Sequence, residues 1–350
     1  MSSVSNVYNI LVLGVGGNVS QGIIKALRLS KLPLKIFGAC VSEYSKGLYL
    51  CDAGYLCPYA RDKKFIPWVI QFCNNQKIDM IFTGVEENII KLAQNIEILK
   101  KRTNALFISS SYEQLRVGQD KFLTCQWLEK SGCNFPKYHL WKNIDNGIKF
   151  AEFIGYPVIA KPCNGKSAKG VYIIHNSNEL ADFGDMTGYV LEEYIGDETS
   201  EYTIGCYSDK AGRIKSIIPM QRKLHNGTTV WAKTVDNPTI VKECKKICEK
   251  FRPIGPLNIQ MRLDITGKPI CFEMNVRFSG TTAIRANLGF EDVKALVLEY
   301  LYGQNNIDSC FELKQGEVFR FDEEMYLING TTEKMGKLGK IENIKSFFYL

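Results

Sequence analysis

Four polar residues near the middle of the second half of the chain have the types and spacing of a site for a metal and a phosphate group. They are Gln260, Glu273, Asn275 and Arg277. Mg²⁺ prefers oxygen ligands and is usually held by one or two carboxylates together with substrate phosphates. An arginine just beyond such ligands could neutralise charge on a phosphoryl group during its transfer. The alternative, an ordinary hairpin with polar residues facing water, stays open on this stretch alone.

A β-hairpin is the element that would hold these side chains together. Apolar and polar residues alternate on both sides of a turn at Gly267, and side chains two apart on a strand point to the same face. The alternation predicts Asp264 opposite Pro269 across a four-residue loop, and Gln260 opposite Glu273. A slip of one residue would pair an apolar row with a polar one.

Composition predicts an ordinary globular protein with two or three domains. The chain has 350 residues, of which 45% are hydrophobic and 23% charged, and a net charge of +7. Its basic residues form only short groups such as Lys63-Lys64, so no nucleic-acid partner is predicted. No apolar segment approaches the ~18 residues that a membrane span needs, so no membrane association is predicted either.

The cysteines and histidines do not have the spacing of a zinc site or of a catalytic nucleophile with its base. The twelve cysteines form no CxxC pair, and several lie in apolar runs where a thiol behaves as a small hydrophobic group. A reducing cytoplasm is therefore the expected location. His139, His175 and His225 are scattered along the chain and are expected to be structural.

The N-terminal part reads as alternating strands and helices. A buried-strand run at 8–13 is followed by a glycine-rich turn and a helix at 20–29, a Rossmann-like start whose helix N-terminus could hold an anion. The glycine spacing, G-x-G-G-x4-G, differs from the dinucleotide fingerprint. Glu86, just after a strand, could bind a substrate amine or simply favour a helix N-terminus. Further elements are predicted as strands at 34–41, 80–83 and 105–109 and helices near 65–75 and 87–100, which together give a parallel sheet.

Five sequence blocks give the chain a resemblance to a known superfamily. In order they read GQDK (118–121), VIAKP with a small-residue loop (158–170), LEEYIG (191–196), SEYTIG (200–205) and LNIQMRLD with FEMNVRFSG (257–280). The set resembles the ATP-grasp superfamily, especially carboxylate–amine ligases and members similar to carbamoyl phosphate synthase. The implied fold is α/β, with α+β character in the grasp part. It comprises a Rossmann-like pre-ATP-grasp domain (1–115), a small subdomain with the lid (116–195), a large subdomain with the metal hairpin (196–305) and a C-terminal cap (306–350).

The resemblance assigns the nucleotide contacts to matching positions. It implies that Lys121 and Lys161 hold ATP phosphates, with Lys161 also catalytic, and that Gly165 and Gly170 belong to a mobile lid. The segment that contains Glu192, Glu193 and Ile195 would form hydrogen bonds with the edge of the adenine ring. Which of the two glutamates faces adenine stays open. Glu201 would bind the ribose hydroxyls.

The resemblance also implies the metal ligands and the phosphoryl contact. Gln260, Glu273 and Asn275 match the ligands of Mg²⁺, for which Mn²⁺ could substitute, and Arg277 matches a catalytic arginine. The family's Asn-Pro-Arg reads Asn275-Val276-Arg277 here, which keeps both functional side chains.

The implied activity is that of an ADP-forming ligase that joins a small carboxylate, such as an amino acid, to an amine through an acyl phosphate. Arg285 is the expected clamp for a substrate carboxylate and Glu86 the expected amine contact. The alternatives are a kinase of bicarbonate or carbamate, a nucleotide sensor without catalysis, and a Rossmann dehydrogenase. Many relatives are dimers, so the resemblance allows a homodimer.

Overall fold

The structure, a computed structural model, describes residues 7–165, 169–327, 330–342, 344 and 346–347. Residues 166–168 of the predicted lid lie outside this set. The strands are, in chain order, β1 (Tyr8–Leu13), β2 (Leu34–Cys40), β3 (Ala53–Leu56), β4 (Met80–Thr83), β5 (Leu106–Phe107), β6 (Tyr138–Leu140), β7 (Val158–Pro162), β8 (Tyr172–Ile174), β9 (Tyr189–Glu193), β10 (Glu201–Ser208), β11 (Ile214–His225), β12 (Thr228–Thr234), β13 (Gly255–Leu263), β14 (Pro269–Asn275), β15 (Glu317–Phe319), β16 (Tyr326–Leu327), β17 (Lys340–Glu342) and β18 (Ser346–Phe347).

The α-helices connect these strands. They are α1 (Asn18–Leu29), α2 (Phe65–Gln76), α3 (Glu86–Gln94), α4 (Ile96–Arg102), α5 (Tyr112–Gln119), α6 (Lys121–Lys130), α7 (Ile144–Ile154), α8 (Ser177–Asp182), α9 (Pro238–Phe251), α10 (Thr282–Asn287), α11 (Asp292–Tyr300) and α12 (Thr331–Leu338). None of these described helices has the length and apolar character that a membrane crossing requires. The single helix predicted near 87–100 is instead two helices, which meet at Asn95.

The chain divides into two compact units. The first contains Met1–Tyr112, Arg277–Lys314 and Phe321–Leu350, and the second contains Glu113–Val276 and Gln315–Arg320. The sequence instead predicted four contiguous domains with boundaries at 115, 195 and 305, and that division stays a prediction.

The first unit is built on a sheet in the order β17-β3-β2-β1-β4-β5. Its central strands pair in parallel, whereas β17 pairs antiparallel with β3 at the edge. Residues Ile10–Leu13 of β1 are fully buried, as expected for a parallel strand that is covered on both faces. The predicted parallel α/β sheet is therefore confirmed.

Arg285, the predicted substrate clamp, lies in the interior of the first unit. Its side chain is 1% exposed, and its Nη2 lies 3.3 Å from Asp292 Oδ2 and 3.3 Å from Thr282 Oγ1. The guanidinium also stacks on the ring of Phe290. A buried charge needs such compensation, and in this structure the Arg285 guanidinium is paired within the unit. The predicted role of Arg285 as a clamp for a substrate carboxylate stays a prediction.

The second unit contains two antiparallel sheets. The smaller has the order β6-β9-β7-β8, and its core includes Trp141, Val158 and Leu191. The larger has the order β14-β13-β10-β11-β12-β15. It therefore brings β10 and β13, which are about 50 residues apart in the chain, side by side.

The hairpin of β13 and β14 has the predicted pairing at its centre but not at its turn. Gln260 lies opposite Glu273, as predicted, whereas Pro269 lies opposite Leu263 rather than Asp264. The loop is therefore one residue longer than predicted, and a β-bulge at Phe272 absorbs the difference. A bulge re-aims a side chain, and here Phe272 lines the same cavity as Glu273 instead of joining the core.

Candidate functional site

A cavity of about 280 Å³ in the second unit is lined by residues from both of its sheets. It brings together most of the predicted nucleotide and metal residues, namely Lys121, Lys161, Gly165, Glu192, Glu193, Ile195, Glu201, Gln260 and Glu273. This volume is near the lower end of the ~300–1,000 Å³ that is usual for small-molecule sites. The cavity is therefore the candidate functional site.

A buried ion pair lies at one end of the cavity. Lys161 Nζ is 2.7 Å from Glu192 Oε2, and the two side chains are 9% and 1% exposed. The ammonium also lies 4.8 Å from the centre of the Phe272 ring. Adjacent strands hold the pair in place, because Ile159 of β7 lies opposite Glu192 of β9. The pair offers a donor and an acceptor side by side on the cavity wall.

The neighbouring Glu193 is differently placed. It is only half-buried, and its carboxylate accepts a hydrogen bond from the backbone N–H of Lys137 at 3.2 Å. Glu192 is thus the glutamate whose carboxylate takes part in the cavity's buried pair. Which of the two glutamates would contact adenine stays a prediction.

The segment after β9 is held by tight backbone packing. Gly196 has a φ of +57°, and a Cβ there would lie 2.5 Å from the carbonyl oxygen of Leu263. Only glycine adopts this conformation without strain. The preceding carbonyl, of Ile195, lies 3.4 Å from Arg262 Nη1. The predicted backbone contact of Ile195 with adenine stays a prediction.

Lys121 lies beside the first residues of the predicted lid. Its side chain is buried, and its Nζ donates to the carbonyl oxygen of Gly165 at 3.1 Å. At the other end of the lid Gly170 has a φ of +73°, and a Cβ there would lie 3.0 Å from the Tyr189 hydroxyl. Gly170 is not among the lining residues, and its predicted lid role is untested.

Glu201 is the centre of a buried network. Its Oε1 accepts from Arg222 Nη2 at 2.8 Å and Nε at 3.1 Å, and its Oε2 accepts from Arg262 Nη2 at 2.9 Å. All three side chains are largely buried. Both carboxylate oxygens are therefore engaged by guanidinium groups, and a ribose hydroxyl would have to share them. The predicted ribose contact of Glu201 stays a prediction.

This network sets the charge state of Glu201. Burial, the largest influence, raises the pKa of this carboxyl, but Arg222 and Arg262 outweigh it and hold the pKa below the ordinary value of 4.5. A carboxyl whose folded pKa is lowered stabilises the protein fully above its unfolded pKa, and this stabilisation is lost as the pH falls through the folded value.

We therefore expect Glu201→Gln to be less stable than the wild type by about 3–5 kcal/mol at pH 7, the usual cost of breaking a buried pair. The difference should shrink as the pH falls below 4.5 and through the lower folded pKa of Glu201, where the wild-type carboxyl also becomes neutral. Urea unfolding of both proteins at pH 7 and at about pH 3.5 would measure it. Glu97→Gln, at an exposed surface pair, should change little at either pH. A difference between Glu201→Gln and the wild type that is independent of pH would contradict the assignment.

The predicted metal ligands meet at Glu273. Gln260 Nε2 donates to Glu273 Oε1 at 3.0 Å, and Asn275 Nδ2 donates to the same oxygen at 2.7 Å. The oxygen chemistry of this set fits Mg²⁺, with Glu273 as its single carboxylate. No group of three or more His, Cys, Asp or Glu side chains among the described residues is arranged to hold a metal ion. A cation here would therefore depend on amide oxygens and on phosphates of a bound ligand.

Sequence reasoning missed several residues of the cavity wall. Phe272 belongs to the apolar row of the hairpin pattern and was expected in the core, and the arginines Arg222 and Arg262 were not recognised as partners of Glu201. Leu224, beside another β-bulge, also lines the cavity. The polar positions of the β13 and β14 pattern could have indicated Arg262, but no sequence signal marked either β-bulge.

Two other predicted residues belong to the first unit. Arg277 is half-buried, and its Nη1 lies 3.0 Å from the carbonyl oxygen of Phe278. Glu86 is the first residue of α3, after the β4 strand. The preceding residue, Val85, packs against the turn at Gly14, because a Cβ on Gly14 would lie 2.3 Å from Val85 Cγ2. The functional roles of Arg277 and Glu86 stay predictions.

Comparison with protein families covers most of the chain. Residues 10–105 match the PylC-like N-terminal domain, residues 120–192 match the ATP-binding domain of the carbamoyl-phosphate synthase L chain, and residues 186–318 match an ATP-grasp family in the biosynthetic pathway with Ter operon. The last two matches together extend over residues 120–318, which is more than half of the chain.

Individual relatives are more distant. The carbamoyl phosphate synthase large chain of Sulfolobus acidocaldarius is 24% identical over 269 residues, which are 73% of this chain and 24% of that protein. The chain thus spans about a quarter of the length of this relative. Among solved structures, a biotin carboxylase–β-γ-ATP complex from Campylobacter jejuni has a TM-score of 0.68 at 19% identity, covering 90% of this chain and 75% of that one. An L-amino acid ligase from Bacillus licheniformis has a TM-score of 0.67 at 18% identity, covering 93% and 81%.

These structural similarities lie below 25% identity and establish the fold. They agree with the predicted order of a Rossmann-like domain followed by an ATP-grasp fold. The family matches over residues 120–318 support the chain as a member of the ATP-grasp superfamily, and the solved structures share its fold.

Proposed function

We propose that the protein is an ATP-dependent ligase that joins a small carboxylate to an amine. In the first step the bond between the γ-phosphorus and the bridging oxygen of ATP breaks, and a carboxylate oxygen of the acid bonds to that phosphorus, giving an acyl phosphate and ADP. In the second step the amine attacks the acyl carbon, inorganic phosphate leaves, and the amine nitrogen loses a proton. The observation that carries the proposal is one cavity lined by Lys121, the Lys161–Glu192 pair and Glu273.

The Lys161 end of the cavity is the proposed binding site for the base of ATP. Glu192 would accept a hydrogen bond from the adenine amino group, and the Lys161 ammonium beside it would donate to a ring nitrogen. The side chains of Phe272 and Leu224 would cover the faces of the base with apolar surface. Glu201 would then contact the ribose.

The basic residues and the oxygen ligands are the proposed phosphate end. Lys121 would leave the Gly165 carbonyl and bind phosphate oxygens, as a lysine next to a mobile glycine loop can. Glu273 and Asn275, with the adjoining Gln260, would hold Mg²⁺, or Mn²⁺ in its place. A cation bound there neutralises phosphate charge during the transfer.

The protein's part in the reaction is positioning and charge neutralisation. We assign to Arg277, two residues beyond Asn275 in the sequence, the stabilisation of the transferred phosphoryl group. A lid that includes Gly165 and Gly170 would exclude water, which would otherwise hydrolyse the acyl phosphate. No covalent nucleophile is needed.

An amino acid is the proposed acid, in keeping with the similarity of the fold to an L-amino acid ligase. Glu86, at the carboxyl end of a parallel strand, is the proposed contact for an amine. This edge is where open α/β sheets usually bind ligands. Arg285 stays the proposed contact for the substrate carboxylate, and binding would require its guanidinium to leave Asp292.

The test is ADP release from ATP and Mg²⁺ in the presence of pairs of amino acids. We expect release with the correct acid and amine together and at most a small rate with either alone. The 24% identity to a carbamoyl phosphate synthase large chain favours a second candidate, phosphorylation of bicarbonate or carbamate. Release that depends on bicarbonate and needs no amino acid would favour that candidate. ATP binding without ADP release under any condition would contradict both.

A further inference from the structure

Arg222 lies at the start of a chain of hydrogen bonds that crosses four neighbouring strands. The strands are β11, β10, β13 and β14, in that order in the sheet. Arg222 Nη2 donates both to Glu201 Oε1 at 2.8 Å and to Gln260 Oε1 at 2.7 Å. Gln260 Nε2 then donates to Glu273 Oε1 at 3.0 Å. One guanidinium group thus links the proposed ribose carboxylate to the proposed metal carboxylate.

The arginine also fixes which way the Gln260 amide points. Amide oxygen and nitrogen are assigned from their partners, and a guanidinium group can only donate hydrogen bonds. The Gln260 oxygen must therefore face Arg222, and its NH₂ group must face Glu273. A cation that contacted the Gln260 oxygen would share it with Arg222, whose 2.7 Å bond fixes where that oxygen lies.

The donors converge on one oxygen of Glu273. Within the part of the chain that the structure describes, the hydrogen bonds to this carboxylate come from Gln260 and Asn275, and both end on Oε1. This arrangement orients the carboxylate and leaves Oε2 available for a cation.

We propose that Arg222 is a positioning residue that fixes the orientation of the Gln260 amide and, through it, holds Glu273 ready for Mg²⁺. The proposal rests on the proposed function, since it concerns how that site binds metal and nucleotide. It predicts that loss of Arg222 weakens the cooperation between Mg²⁺ and nucleotide and not only the binding of nucleotide.

Arg262 is a matched control for this proposal. It pairs with the other oxygen of the same carboxylate, at 2.9 Å from Glu201 Oε2, and is similarly buried. Its described hydrogen bonds go to Glu201, Ile195 and Tyr194, and none of them goes to Gln260. Arg222→Gln and Arg262→Gln therefore remove the same charge from Glu201, but only the first interrupts the link to Gln260.

The experiment measures ADP affinity by calorimetry with and without Mg²⁺, and takes the ratio of the two affinities. Loss of a residue that orients a metal ligand typically costs ten- to a hundredfold in metal affinity. We therefore expect Arg222→Gln to lower the ratio by roughly tenfold or more. Arg262→Gln should weaken ADP binding in both conditions but change the ratio by less than about threefold. The EPR spectrum of bound Mn²⁺, with ADP present, should change in the first variant only.

A double-mutant cycle tests whether Arg222 acts through Gln260. If it does, Gln260→Leu should lower the ratio at least as much as Arg222→Gln does, and the double variant should be no worse than Gln260→Leu alone. If Arg222 acts independently of Gln260, the losses of the two single variants should add in the double variant. That result, or equal ratios in the Arg222 and Arg262 variants, would overturn the proposal.

Two further measurements keep the outcomes distinct. If Arg222→Gln does not fold, Arg222→Lys keeps the charge but lacks the planar fork that contacts both partners, and it should still lower the ratio. An unchanged ratio in that variant would also overturn the proposal. A wild-type protein that binds no ADP, or shows no effect of Mg²⁺, would instead refute the proposed function.

Discussion

Glu273→Gln is expected to lower the rate of ADP formation by on the order of a thousandfold while leaving the fold intact. Glu273 is the carboxylate of the candidate metal set, and the replacement removes its charge with little change in shape. Losing one preorganised group that stabilises transition-state charge costs about 10²–10³ in rate. The Glu273→Gln replacement would also weaken the binding of the cation that Glu273 holds.

The fold should survive because the contacts of Glu273 can be kept by an amide. Its Oε1 accepts from Gln260 and Asn275, and a glutamine oxygen can accept the same two bonds. We expect unfolding in urea to shift little, and ADP affinity in the absence of Mg²⁺ to stay within a fewfold of the wild type. The gain in ADP affinity on adding Mg²⁺ should disappear.

Glu193→Gln is the matched control, since Glu193 also lines the cavity but its carboxylate binds the Lys137 backbone. It should keep most of the activity. Wild-type turnover in Glu273→Gln would show that the metal assignment is wrong. Equal losses in both variants would indicate a general effect of removing negative charge from the cavity.

The central pairing of the metal hairpin could be predicted because its cause is local. Alternating apolar and polar residues fix which residues face each other, and Gln260 does lie opposite Glu273. The bulge could not be predicted, because its extra residue, Phe272, does not break the apolar pattern. An apolar side chain is compatible with the core and with the wall of an apolar cavity alike.

The charged contacts depended on information that the linear sequence does not contain. Glu201 meets Arg222 and Arg262 because β10 lies between β11 and β13 in the sheet. That order follows from tertiary packing and not from local periodicity. The pairing of Arg285 with Asp292 was not predicted for the same reason, since it depends on both being buried together.

The Lys161–Glu192 pair leads to the second large expected effect. Lys161→Met should destabilise the protein by about 3–5 kcal/mol, because it leaves the Glu192 carboxylate, 1% exposed, without its charged partner. The methionine fills most of the space of the lysine stem, so the loss reports the unpaired charge and not a cavity. Urea unfolding would measure it.

The double variant Lys161→Met with Glu192→Gln separates stability from function. With both charges removed the desolvation cost also disappears, and replacing a whole buried pair is often neutral for stability. We expect the double variant to recover most of the lost stability. Its ADP affinity should nevertheless stay at least about tenfold below the wild type, since a hydrogen bond to a charged group contributes about 1.5–3 kcal/mol.

Recovery of stability without recovery of ADP affinity distinguishes a pair that binds nucleotide from a pair that only stabilises the fold. A structural pair predicts that stability and ADP binding return together in the double variant. Lys137→Met is the control for a lysine of the same unit, because Lys137 lies near the exposed ring of Phe153 and outside the cavity lining. It should leave both quantities close to the wild type. A double variant that is as stable as the wild type and binds ADP equally well would remove Lys161 and Glu192 from the nucleotide site.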